Sequence, residues 1–261
     1  MSELDLIKSG NSDYETYEEL LLERDQLEKE AGQMWIAYQK EFGALIVEIY
    51  EEKIECIKCK KNIAYYQKAI NRGGRVNASE MKKYLEKEMA SYYYNLKKLI
   101  KDCEEAKASE TSTEYEAERS KKLYRRLAKL LHPDLNPETD RSEKLKKLWI
   151  RILEAYGAND IKSLSELEVL VRRALKELGM GEIKIDIPDI EERIEELKRE
   201  IETIKTTEPY VFRDLVDDDI AVENKKEELK EELEEYRKYH KELNEVIYKM
   251  IQGGELKIYV D

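Results

Sequence analysis

The first proline of this 261-residue chain is Pro133, one of only four, and glycine occurs just ten times. Proline removes a helical hydrogen bond and clashes with the preceding turn, while glycine weakens helix interiors. A chain so poor in breakers is free to build long helices. Its composition agrees: 41% of residues are charged and 41% apolar, the usage of extended helices and coiled coils. Tyrosine outnumbers phenylalanine 18 to 2, which suits half-buried positions where one end of the ring stays wet.

From about Tyr14 to Arg72 the apolar residues carry helical periodicity. Ala31, Met34, Tyr38, Phe42, Leu45, Ile49, Glu52, Cys56, Cys59, Ile63, Tyr66 and Ile70 follow one another at spacings of three and four, a coiled-coil seam with one stutter near Phe42. Gly32 and Gly43 are the places where such a helix would bend or end. The segment 71–77 reads as a turn, with Asn77 and Glu80 as a capping box for a second helix. That helix has its own seam through Met81, Leu85, Glu88, Tyr92, Leu96, Leu99, Cys103 and Ala106. The two seams predict an antiparallel hairpin. The first helix is much the longer, so its N-terminal part needs another partner, either another segment or a second copy of the chain.

Thr111, Ser112 and Thr113 interrupt the pattern and predict the start of a further capped helix stopping at Pro133, followed by helices over about 142–156 and up to about Leu178. Farther on, Glu182–Ile187 and Leu256–Val260 alternate as strands, flanking helical stretches over about 189–205 and 221–251. If those helices form a second hairpin, the strands meet as an antiparallel ribbon. The expected fold class is therefore mainly α: long antiparallel coiled-coil hairpins flanking a small helical domain, with a short two-stranded β ribbon near the C-terminus. The expected division is 1–110, 111–178 and 179–261.

The formal charge of −12 argues against general nucleic-acid binding, which draws its affinity from excess lysine and arginine. No apolar stretch approaches the length of a membrane span, and Met1–Leu20 lacks the basic-then-apolar pattern of a secretory signal. Three cysteines make no disulfide framework. Cys56 and Cys59 have C-x-x-C spacing, but all three cysteines fall on the seams, where small apolar side chains are wanted. A cytoplasmic protein with no metal and no cofactor is expected. In the antiparallel register, Cys103 is expected to face Glu48 or Ile49.

The charge is uneven. Between Arg119 and Arg151 eleven basic residues face four acidic ones, so this stretch carries +7 and the remainder −19. Lys121, Lys122, Arg125, Arg126 and Lys129 share the face opposite the Leu123, Leu127, Leu130 and Leu131 stripe, with no acid among residues 119–129. A basic face kept on an acidic chain suggests an acidic partner surface.

Tyr124, Arg125, Leu127, Ala128, His132, Pro133, Asp134, Asn136 and Pro137, followed by Ile152, Glu154, Ala155 and Tyr156, resemble the second and third helices of the J-domain (DnaJ) family. Trp149 stands where a phenylalanine is usual. The resemblance covers about residues 113–157, and no first J helix precedes Thr113, so the arm around Leu96–Ala106 is expected to pack in its place. The layout resembles uncharacterised bacterial J-domain proteins. The resemblance implies a co-chaperone rather than an enzyme: Lys121, Lys122, Arg125, Arg126 and Lys129 dock on the ATPase domain of a DnaK-type heat-shock chaperone. His132, Pro133, Asp134 and Asn136 then bias it towards hydrolysis, Asp134 pairing with a partner arginine. The arms would take a client or form a homodimer. The alternative is an assembly protein whose J-like domain no longer engages the chaperone. An acid–base enzyme using His132 and Asp134 is disfavoured, since no nucleophile or oxyanion donor accompanies them.

Overall fold

The computed structural model describes residues 3–109, 113–180, 189–254 and 256–259, with side chains from Asp13 onward. The chain is mainly α. Its elements are α1 (Glu3–Ile70), β1 (Arg75–Asn77), α2 (Ala78–Ala108), α3 (Glu114–Leu131), α4 (Glu138–Arg141), α5 (Glu143–Gly157), α6 (Ile161–Glu177), α7 (Ile190–Thr206), α8 (Arg213–Val216), α9 (Asp219–Gln252) and β2 (Lys257–Tyr259). Two compact units interleave the sequence. One comprises residues 1–33 and 110–211, the other 34–109 and 212–261. Helix α1 contributes to both.

In the second unit α1 and α2 form the expected antiparallel hairpin. Lys61 pairs with Glu88 at 2.7 Å, and the Tyr65 and Tyr84 rings lie 5.3 Å apart. Asn77 caps α2, its Oδ1 accepting from the Ser79 and Glu80 amides at 2.9 and 3.1 Å. Neither Gly32 nor Gly43 interrupts α1. Gly43 serves close approach instead: a Cβ built there would lie 2.8 Å from the Cys103 Sγ. Cys103 therefore sits beside Gly43, more than a turn from the expected Glu48 or Ile49, because only a residue without a side chain admits α2 so closely.

The seam of α1 serves α9 as well. Phe42 and Ile49 cluster with Val222, Leu229 and Leu233, and Cys56 and Cys59 with Leu243. Glu52, the polar residue of that seam, meets His240 Nδ1 at 2.9 Å. The pairs Glu41–Lys226, Glu48–Arg237 and Glu52–His240 advance together along both helices, so α9 runs parallel to α1. This direction corrects the ribbon expected at the C-terminus. A parallel α9 delivers the chain to the end of α1, where β2 pairs with β1 in parallel register, Val76 opposite Ile258. The other strand expected there, Glu182–Ile187, lies outside the described residues.

The first unit is built on α3, α5 and α6. Leu123, Leu127, Leu131, Leu145, Ile152, Leu164, Leu167 and Val171 form its core together with Leu22 of α1. A second cluster joins Tyr17 and Leu21 of α1 to Leu135 and to Ile194 and Leu197 of α7. The stretches 189–205 and 221–251, expected to pair as a hairpin, each direct their clustered core residues at α1 instead.

Candidate functional site at the His-Pro-Asp corner

Helix α3 begins with a complete capping box, Thr113 N–H donating to Glu116 at 2.9 Å and Glu116 N–H to Thr113 Oγ1 at 3.3 Å. It ends where proline must end it, at His132–Pro133. The His132 carbonyl accepts from the Leu135 and Asn136 amides at 2.9 and 2.7 Å, closing a tight turn. Asn136 is buried, its Nδ2 donating to the Leu130 carbonyl at 3.0 Å and its Oδ1 accepting from the Glu138 amide at 3.2 Å. Asn136 therefore splints the corner from inside. Helix α5 returns antiparallel to α3: Tyr124 stacks on Tyr156 at 3.9 Å, and His132 meets Trp149 edge-on at 5.1 Å.

The corner separates its two polar residues. The Asp134 side chain is 41% exposed and that of His132 only 6%. The Asp134 amide donates to His132 Nδ1 at 3.2 Å, so the neutral ring carries its proton on Nε2. That nitrogen faces the Asp25 Oδ2 of α1 at 3.5 Å. Asp25 also accepts from the Tyr124 hydroxyl at 2.5 Å and from Arg24 Nη2 at 2.8 Å. Burial favours the neutral acid, but the hydrogen bonds from His132, Tyr124 and Arg24 more than offset it and hold the carboxyl below its ordinary value. The Tyr124 phenol is pushed up, first by burial and then by the Asp25 charge and hydrogen bond.

The segment of α1 from Tyr17 to Lys29 thus occupies the place that Leu96–Ala106 was expected to fill. Cys103 and Ala106 are instead buried in the other unit, because Gly43 gives that stretch its own docking point on α1. Arg24, Asp25 and Lys29 escaped sequence reading. The available signal was Asp25 itself, a carboxylate spaced three and four residues from Leu22 and Leu21 on an apolar helical face.

The basic residues of α3 are partly spoken for. Arg126 reaches Glu168 through two hydrogen bonds at 3.2 and 3.0 Å, Lys122 pairs with Glu118 at 3.5 Å, and Lys129 pairs with Glu18 of α1. Lys122, Arg126 and Lys129 nonetheless remain 69%, 51% and 53% exposed, and Arg125 is exposed beside them. Lys121 is half-buried and near Lys29, which lies 3.7 Å over the Tyr156 ring and donates to Asn159 Oδ1.

Burial, reinforced by the Lys121 charge, pushes the Lys29 ammonium down to about 8. Its protonation opposes folding, so its contribution to stability rises with pH from about 8 towards the unfolded value of 10.5. Mass-spectrometric amine acylation is expected to label Lys29 with a midpoint near pH 8, where a lysine of ordinary pKa keeps less than about 1% free amine. Labelling that instead follows the bulk of the lysines contradicts this assignment.

Among the described residues no group of three or more histidine, cysteine, aspartate or glutamate side chains is arranged to hold a metal ion. The three cysteines are buried thiols, Cys56 and Cys59 donating to the Tyr236 carbonyl and Asn244 Oδ1 at 3.6 and 3.5 Å. No described helix is long and apolar enough to cross a membrane. Searches with protein-family models, among curated proteins and among solved structures found no match to this chain.

Proposed function

We propose that this protein is a J-domain co-chaperone that binds a DnaK-type heat-shock chaperone through α3 and the His-Pro-Asp corner and stimulates its ATP hydrolysis. The observation that carries this reading is the position of Asp134. It stands partly exposed on a turn fixed by Pro133 and Asn136, at the end of a helix whose outward face bears Lys122, Arg125, Arg126 and Lys129. A rigid carboxylate beside a basic face suits a partner that offers a cation within an acidic surface. No bond is made or broken on this chain; the partner supplies the chemistry. The arms are the part of the molecule left to hold a client or a second copy.

Single-turnover ATP hydrolysis by the host's DnaK-type chaperone tests the reading. Wild-type protein is expected to accelerate hydrolysis, and removing the Asp134 charge is expected to weaken that effect at least tenfold, a lost charge-assisted hydrogen bond being worth more than about 1.4 kcal/mol. Asp134→Asn, which keeps the turn, is the variant that tests this. One observation favours the other reading, an assembly protein with a J-like fold: His132 and Tyr124 are 5% and 1% exposed and both engage α1. Absence of stimulation by folded wild-type protein would overturn the co-chaperone reading and favour that second one.

A further inference from the structure

Arg24 is the one lysine or arginine within ion-pair distance of Asp134 among the described residues. Its guanidinium is shared. Nε and Nη2 donate to Asp25 Oδ1 at 3.2 and 2.8 Å, while Nη1 lies 3.9 Å from Asp134 Oδ2 and 3.8 Å from Glu200 Oε2 of α7. Arg24 itself is 19% exposed, so it is anchored by Asp25 and leaves one edge between two carboxylates at nearly equal distance. Asp25 is anchored in turn by the Tyr124 hydroxyl and His132. Nη2 also lies 3.4 Å from His132 Nε2, so Nη1 is the edge that faces two carboxylates.

We propose that Arg24 is an intramolecular competitor for Asp134, which an incoming chaperone must displace onto Glu200 before the His-Pro-Asp corner can act. This rests on the co-chaperone reading above and adds regulation to the same site. The exchange needs no movement of α1, whose Leu21 and Leu22 are locked in the core. Nη1 already lies as near to Glu200 as to Asp134, so a small shift of the Arg24 side chain is enough to favour one carboxylate over the other. Glu200, 56% exposed, remains available to receive it. The free protein is thus held below its full activity by a contact that a partner cation replaces like for like.

The test compares half-maximal concentrations for stimulating the chaperone's single-turnover ATPase, using full-length wild type, Arg24→Gln, Glu200→Gln and Asp134→Asn. A half-exposed pair of this separation corresponds to an effect of about two- to fivefold. Arg24→Gln keeps a donor for Asp25 and is expected to lower the half-maximal concentration by that factor. Glu200→Gln removes the alternative acceptor and is expected to raise it. A merely structural role for Arg24 predicts the opposite sign for Arg24→Gln, a weaker protein, with Trp149 fluorescence reporting whether the fold is intact. If wild type stimulates, Asp134→Asn does not, and Arg24→Gln equals or falls below wild type, the latch is wrong and the co-chaperone reading stands. If neither wild type nor Arg24→Gln stimulates while both are folded, the co-chaperone reading fails and the latch with it.

Discussion

Leu21→Ala combined with Leu22→Ala is expected to unfold the unit that carries His132 while leaving the other unit folded. Leu21 is 0% exposed in the cluster with Tyr17, Leu135, Ile194 and Leu197. Leu22 is 6% exposed in the core of α3, α5 and α6. Successive helical residues point about 100° apart, so this one turn of α1 is inserted into two cores at once. Each truncation costs about 2–5 kcal/mol in transfer and cavity terms. Together that approaches the 5–15 kcal/mol that a domain typically has. The protein carries one tryptophan in each unit, which makes the outcome readable. Trp149 is 8% exposed in the affected core, whereas Trp35 stacks with Tyr38 and Phe212 in the other unit. In a Trp35→Phe background the remaining Trp149 emission is expected to shift to the red at a urea concentration well below that of the parent. If Trp149 emission and its urea midpoint are unchanged, α1 is not part of that core.

The second large effect is expected at Tyr124. Its ring is 1% exposed, stacked on Tyr156 with an interplanar angle of 7° and tilted against Trp149 at 5.9 Å. Tyr124→Ala removes a buried aromatic and is expected to cost about 3–5 kcal/mol. Tyr124→Phe keeps the ring and removes only the hydroxyl, leaving Asp25 without one donor, for about 1–3 kcal/mol. Loss of the hydroxyl also changes the pH dependence of stability. A carboxyl held below its ordinary value of 3.8 contributes stability above that pH and loses it as pH falls through the folded value. Tyr124→Phe weakens the depression, so its acid unfolding is expected to begin at higher pH than that of the parent. Equal acid midpoints for Tyr124→Phe and wild type would show that the hydroxyl does not hold the Asp25 charge.

Much of the local structure was legible in the residues. The cap at Asn77, the helix start within 111–113, the stop at Pro133 and the antiparallel hairpin of α1 with α2 depend on neighbours a few residues apart or on a periodicity that one helix displays by itself. The basic face of α3 was legible for the same reason, since Lys122, Arg125, Arg126 and Lys129 recur at helical spacing. The glycines were misleading as breakers, because Gly43 records a neighbour rather than a bend.

The sequence by itself determined that this chain is helical, where most helices start and stop, and that a proline-fixed corner follows a basic helix. Beyond the α1–α2 hairpin, only the tertiary structure decided which helices meet. A coiled-coil seam states that an apolar partner is required and says little about which one, since Cys56 fits α9 as well as it would have fitted α2. The same indifference hid the direction of the final strand, which follows from α9 running parallel to α1. It also hid the Arg24–Asp25 contact with His132, where residues 108 positions apart meet. Charge and hydrogen-bond partners at that range are set by how two helices happen to be juxtaposed, and no local pattern encodes them.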